Sequence, residues 1–315
     1  MDNFLIVAKQ VAIFCTLIGM GVACRRLRLL DESAARGVVN ILIVLVTPAV
    51  VIDSFCRPFD SAMLRQLGLA AVVATAAHFV AIAIACLTFR GNGRTLPVLR
   101  DAAVFSNVGF MGIPLEHALL GAQGVFYGTV YLSVFNVFLW SWGLWEMKNA
   151  GLRVKNVKSN VITLNMVVNP GTVGIFIGVP VFLFSIPLPE IVSAPLGMMA
   201  GLNTPLAMLV IGYYLGGTDL GTFLRIPSVH VVALVRLVVF PLVVLAGLCL
   251  IRDSLDRTMS LAVVTAASAP VAAIVTMFAA KYGRDVDMSV GLVSCTTMLS
   301  LFTMPMVNAL AMCVL

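Results

Sequence analysis

Runs of about twenty apolar residues, parted by short charged or turn-rich stretches, follow one another along the whole chain. Twenty residues is the length at which a helix crosses the hydrocarbon core of a bilayer. The pattern predicts ten membrane spans, at roughly 3–23, 37–56, 66–89, 99–119, 123–146, 162–184, 193–216, 228–250, 259–280 and 288–313. The separators hold the polar residues: Arg25-Arg26-Leu27-Arg28, Arg90-Gly91-Asn92-Gly93-Arg94 and, longest, Lys148 to Asn160. The expected fold is all-α and integral to the membrane, with no room for a second soluble domain.

Two of these spans carry polar breaks. In the fourth, Ser106-Asn107-Val108-Gly109-Phe110-Met111-Gly112-Ile113-Pro114 separates Asp101–Phe105 from Leu115–Leu120. Pro114 has no N–H and crowds the carbonyl of Phe110, so the helix is expected to break there, with Gly112 contributing. In the ninth, Ser268-Ala269-Pro270 falls mid-span, and Pro270 opposes the carbonyl of Ala266 in the same way. Unsatisfied backbone in lipid costs several kcal/mol per group, so such breaks persist only inside protein or along a cavity. Broken helices at mid-membrane depth are how secondary transporters build substrate sites.

Composition agrees with a membrane domain. The chain is 61% hydrophobic and 11% charged, against about 25% charged residues in soluble domains. Its formal charge of +6 is explained by where the basic residues lie, so no nucleic-acid partner is implied. Fourteen Lys and Arg fall on the loops after odd-numbered spans: Arg25, Arg26, Arg28, Arg36, Arg90, Arg94, Arg100, Lys148, Arg153, Lys155, Lys158, Arg225, Lys281 and Arg284. Four, Arg57, Arg65, Arg252 and Arg257, fall on the other side. The positive-inside rule then predicts a cytoplasmic Lys148–Asn160 loop and both termini outside. The N-terminal run, which begins at Asp2 and lacks a basic n-region, reads as a retained span. The seven cysteines have no spacing of a metal site or disulfide framework. No cofactor or metal is expected.

The halves echo each other. Thr47-Pro48 in span 2 answers Thr204-Pro205 in span 7, and Ile18-Gly19 in span 1 answers Ile177-Gly178 in span 6. With five spans per half, the second repeat must enter the membrane inverted. Expected organisation is a first five-helix repeat over 1–146, a loop over 147–161 and a second repeat over 162–315. The two breaks would meet near the midplane.

At this point Ser106-Asn107-Val108-Gly109-Phe110-Met111-Gly112-Ile113-Pro114-Leu115 resembles the SNTGFLGIPL signature of the auxin efflux carrier family. Further pieces fall in family order: Asn169-Pro170, the run from Thr204 to Gly212, Arg236-Leu237 through Pro241, Ala269-Pro270 and Ala279-Ala280-Lys281-Tyr282-Gly283. The resemblance implies a scaffold of spans 1, 2, 6 and 7 and a mobile transport unit of spans 3–5 and 8–10, with spans 4 and 9 crossing at the site. It admits a homodimer through the scaffold. Plant members carry a proline before the asparagine of span 4, where this chain has Ser106. That departure favours the bacterial branch, which is similar to malonate and malate carriers. The resemblance therefore implies a small carboxylate or dicarboxylate substrate and the inner membrane of a bacterial cell.

Asn107 is the first substrate candidate, because a neutral amide in mid-membrane can donate to a carboxylate. The same residue could instead cap the second half-helix, and a half-helix N-terminus itself attracts anions. Asn136, 29 residues further on, takes its role from the resemblance, since plant carriers have an asparagine ligand at that offset. Otherwise it would make an interhelical bond. Arg236 could supply positive charge to a dicarboxylate or snorkel to the membrane edge. Ser106, Gly109, Pro270 and Thr204 complete the substrate-binding set, and Gly112, Pro114 and Ala269 the helix breaks. Thr47 and Thr204 could equally satisfy backbone groups freed by the prolines that follow. His78 and Glu116 are the proton-coupling candidates, weighed against a histidine hydrogen-bonded between helices and an interfacial carboxylate, as are His117 and Asp53.

The reading is a secondary active transporter of a small organic anion working by alternating access. The alternative is a sodium-coupled symporter like the bile-acid carriers. Against an intramembrane enzyme stands the lack of paired Asp, His-Glu or Ser-Lys groups at matched depth. A passive channel fits poorly with two inverted broken helices.

Overall fold

The computed structural model describes residues 2–149 and 170–315. The expected loop from residue 150 onward, the start of the sixth span and Asn169 lie outside the described residues. Among the described residues the structure is helical and contains no strand. Six helices are long and apolar enough to cross a membrane. They are α2 (Glu32–Phe55), α3 (Ser61–Thr88), α5 (Val108–Asn149), α7 (Glu190–Leu215), α9 (Pro227–Leu250) and α12 (Val286–Val314). Between them come α1 (Asp2–Arg26), α4 (Leu96–Val104), α6 (Pro170–Leu183), α8 (Leu220–Phe223), α10 (Arg257–Ser268) and α11 (Ile274–Lys281).

The 42 residues of α5 would make a straight helix of about 63 Å, roughly twice the hydrocarbon thickness of about 30 Å. The chain instead reverses at Gly121, which takes φ 66° and ψ −158°. A methyl group placed on Gly128 would strike the carboxyl of Glu116. In one continuous helix those residues would stand about 18 Å apart, so α5 is a hairpin of two arms. Arg57 closes its tip: Nη2 donates to the Ala122 carbonyl at 2.9 Å, and the guanidinium lies 4.7 Å from the Phe126 ring centre.

Helix starts follow the sequence chemistry. Asp31, Asp60, Asp256 and Asp285 each accept from the backbone N–H of the second or third residue of α2, α3, α10 and α12. Such caps contribute about 1 kcal/mol each. At the end of the molecule rich in Arg and Lys, Arg94 donates to the Gly283 carbonyl, Thr95 to Asp285, and Arg284 to the Met147 carbonyl. At the opposite end the turn after α2 meets the turn after α6, where the Phe59 N–H donates to Ser185 Oγ.

Several prolines sit inside long helices, Pro195 and Pro305 among them, and three others share one device. Pro48, Pro114 and Pro241 each follow a widened π-turn: Leu42–Val46, Val108–Gly112 and Val235–Val239. A proline ring clashes with the carbonyl four residues earlier. Those carbonyls belong to Val44, Phe110 and Leu237, the central residue of each π-turn. The wider turn moves them aside, and at the first of them the Leu42 carbonyl accepts both the Thr47 N–H and, at 2.8 Å, Thr47 Oγ1. This corrects the expectation that Gly112 and Pro114 break the fourth span. The helix runs on through both, and the gap lies upstream at residues 105–107. The boundaries move too: α2, α3 and α4 begin three to five residues before the expected starts.

Candidate functional site

The two gaps in the helices, residues 105–107 between α4 and α5 and 269–273 between α10 and α11, lie against each other. Ser106 and Val271 form an antiparallel bridge. The Asn107 N–H donates to the Pro270 carbonyl at 2.7 Å, and the Ala272 N–H donates to the Phe105 carbonyl at 3.0 Å. Each gap thereby satisfies backbone groups that the other exposes, which is the condition for irregular backbone inside a membrane protein. The Val271 N–H donates to Thr296 Oγ1 of α12 at 3.2 Å.

Arg236, on the π-turn of α9, is 0% exposed and explains how α4 and α10 can end there. Its Nη1 donates to the Val104 carbonyl at 2.9 Å and to Ala103 at 3.3 Å. Its Nε donates to Ala269 at 3.2 Å, and Nη2 bonds the Ala267 carbonyl. One guanidinium thus caps the C-terminal ends of both half-helices. Each end carries about −0.5 of an elementary charge, so one Arg balances the pair. Arg236 does not line the cavity described below, and its donors go to main-chain carbonyls of the two helix ends.

On the far side of the bridge the second half-helices begin. Both starts open onto a cavity of about 230 Å³. Ser106, Asn107, Gly109 and Phe110 line it from the first gap, and Ala272, Ala273 and Ile274 from the second. The returning arm of α5 adds Asn136, and α2 adds Thr47. Among the described residues, no acidic or basic side chain lines it. Its positive character is that of two helix N-termini, about +0.5 each, with free N–H groups at their first turns. Asn107 occupies the cap position of α5 and is 7% exposed, yet its side chain makes no capping bond. Asn136 commits one amide hydrogen to the Leu132 carbonyl at 2.8 Å, leaving a second donor.

Two interhelix gaps bonded to each other beside a pocket are paired with a family match along nearly the whole chain. The profile of the membrane transport protein family matches residues 6–307. The chain belongs to that family. An "uncharacterized transporter" of Methanothermobacter thermautotrophicus is 25% identical over 296 residues, covering 92% of this chain and 93% of the relative. The family is of the auxin efflux carrier type, and both matches are to transporters. The chain is therefore a multi-pass membrane transporter.

The remaining candidates of this family member lie elsewhere. Thr204 does not line the cavity between the half-helix starts. It faces a second cavity of about 330 Å³ towards the opposite end, with Asp53, Pro114, His117 and Asn203. Pro270 supplies its carbonyl to the bridge, and Ala269 its carbonyl to Arg236. His78 is buried on α3, with Nδ1 against the Ala74 carbonyl at 2.7 Å and its ring stacked on Phe138 at 5.0 Å. Glu116 is 0% exposed, and neither carboxyl oxygen has a partner.

Three residues escaped the sequence reading. Asn203 is buried at the bend of α7, and its Nδ2 reaches the Gly109 carbonyl at 3.5 Å, between the two cavities. Its place beside Thr204-Pro205 was the available signal. Tyr131 is buried next to Arg236 and Ser106. Asp101 on α4 is buried near Arg284 and Glu146, with both oxygens unpartnered, while Glu146 takes Arg100 at 2.9 Å.

Proposed function

We propose that this protein is a secondary active transporter carrying a small carboxylate or dicarboxylate of the malonate or malate type across the bacterial inner membrane. The carrying observation is the cavity at the crossed breaks. It offers two half-helix N-termini and the free amide donors of Asn107 and Asn136, with no fixed counter-charge. Such a site suits an anion that must bind and leave, since full desolvated ion pairs would hold it too tightly.

The ten-pass, inverted-repeat reading is supported by counting the α5 hairpin as two spans and joining α4 to its first arm and α10 to α11. It is also supported by how the helices pack. Exchanging span 1 with 6 and 2 with 7 turns the α1–α7 contact into the α6–α2 contact, and both are among the largest in the molecule. The same exchange turns α3 packed on α4 and on the returning arm of α5 into α9 packed on α10 and α12. In this reading α1, α2, α6 and α7 form the scaffold. The unit containing both breaks slides past them, largely as a rigid body. The end rich in Arg and Lys faces the cytoplasm and both termini face out.

The test is thermal stabilisation of the purified protein by a series of mono- and dicarboxylates, followed by uptake into vesicles with sodium present or replaced by choline. Malonate or malate should raise the melting temperature, and sodium removal should leave uptake unchanged. Stabilisation by no carboxylate would remove the proposal, and uptake that needs sodium would favour the bile-acid carrier type.

A further inference from the structure

The α5 hairpin encloses a carboxyl group that the anion site does not use. Glu116 lies on the first arm, five residues before the reversal at Gly121, with no exposed surface. Neither oxygen has a hydrogen-bond partner. Across the hairpin its carboxyl rests on Gly128, where even a methyl group would collide with it. The absence of a side chain at Gly128 therefore makes the space that the carboxyl occupies.

No cation bonds to it: Arg57 is committed to the Ala122 carbonyl and the Phe126 ring at the hairpin tip, and Arg236 to carbonyls of the two helix ends. Tyr131 on the returning arm is the titratable group that interacts with Glu116. Asp53 on α2 and His117 line the adjoining 330 Å³ cavity. His78 on α3 and Arg257 at the start of α10 belong to other elements packed on the hairpin. None of these bonds or ion-pairs with it. Asp101 is different: its unpartnered oxygens lie near Arg284, which offers a charge of opposite sign. An ionised carboxylate in the Glu116 position would carry a desolvation cost of several kcal/mol with nothing to offset it. The neutral acid is the form this space accommodates.

Position gives that acid a use. Ile113, Pro114 and His117 line the cavity, and Glu116 lies between Pro114 and His117 on the same arm. Across the cavity are Val50 and Asp53 of α2 and Gly197 and Ala200 of α7, both scaffold helices in the transport reading.

We infer that Glu116 is the proton-binding site of the carrier, loaded from the cavity it adjoins and moving one proton in the same direction as each carboxylate. The proton is taken up from water in that cavity by the ionised carboxylate, which then closes as the neutral acid against Gly128. When the hairpin slides past α2 and α7, the same edge faces water on the other side and the proton leaves. This deepens the transport reading and rests on it.

The full-length protein reconstituted in vesicles tests it, with radiolabelled malonate and malate as probes. Two transport modes are compared: accumulation driven by an imposed pH gradient, and exchange at equal pH. An infrared measurement at neutral pH reads the protonated-carboxyl C=O band independently of any substrate. Glu116→Gln should lose gradient-driven accumulation, keep exchange, and lack an infrared band that the wild type shows. Glu116→Asp should keep accumulation with a displaced pH profile, and it decides the matter if the Gln variant does not fold. Gradient-driven accumulation surviving in Glu116→Gln would overturn the inference. So would an unchanged pH profile in Glu116→Asp, or no infrared difference between either variant and the wild type. If the wild type transports neither probe, the substrate reading has failed, and the infrared comparison still decides the state of Glu116.

Discussion

Asn107 gives its backbone N–H to the carbonyl of Pro270 at 2.7 Å, across 163 residues of chain. The bond ties the start of one second half-helix to the end of the other first half-helix. It leaves the Asn107 side chain free, because the main chain alone makes the link. The residue thus holds the crossing with one part of itself and faces the cavity with another.

The first expectation follows from that division. Asn107→Ala keeps the backbone bond and removes the amide that faces the cavity. Carboxylate binding should weaken by about 1.5–3 kcal/mol, the range for a hydrogen bond to a charged group. Melting temperature without ligand should hardly move. Undiminished affinity in Asn107→Ala, read by isothermal calorimetry or by concentration-dependent stabilisation, would mean the amide does not touch substrate.

Arg236→Lys keeps the charge and loses the fork. A single ammonium cannot reach four carbonyls drawn from two helix ends. Leaving two of them unsatisfied costs about 2–6 kcal/mol, which should appear as a large fall in melting temperature and in yield. Wild-type stability in this variant would show that the two ends do not depend on the guanidinium.

The bridge itself can be trapped. Residues paired across an antiparallel bridge have Cα atoms about 4.5–5.5 Å apart, within the 4.4–6.8 Å of natural disulfides. In a background without the native cysteines, Ser106→Cys with Val271→Cys should form a disulfide on mild oxidation. After proteolysis between the two positions, the halves should stay joined until reduced. Separation of the fragments without reductant would contradict the crossed arrangement.

Gly21 and Gly212 bring α1 and α7 together. A methyl on either would meet the partner's backbone: the Leu209 carbonyl and Gly212 Cα in one case, the Ile18 carbonyl and Gly21 Cα in the other. Gly212→Ala should therefore destabilise the protein by about 1–3 kcal/mol, as other overpacked contacts do. Gly19→Ala serves as the control, since nothing stands within 4 Å of that position. Equal melting temperatures for the two variants would rule out the close crossing.

The two interhelix gaps were legible because Ser106-Asn107 and Ser268-Ala269-Pro270 put polar or helix-averse residues into the middle of mostly apolar stretches. Their exact offsets were not. A proline marks where a helix is under strain but not whether the strain is relieved by a gap or by a widened turn, and Pro114 is relieved by a turn. Arg236 was legible as an intramembrane charge, yet its partners are main-chain carbonyls 31 to 133 residues away. No pattern of side chains advertises a carbonyl. Asp101 passed unnoticed because it follows Arg100 at the edge of a basic loop and reads there as an ordinary surface residue.

In the proposed site the seat for the anion is built of main chain, and main chain is the part of a protein that point mutation cannot recolour. Replacing any one residue around the half-helix starts leaves the peptide dipoles where they are. What a substitution can change is the upholstery: Val39 and Ile43 on one wall, Trp140 and Met277 on another. A lineage could move from one acid to another by reshaping those apolar walls while never passing through a form that has lost its grip on negative charge.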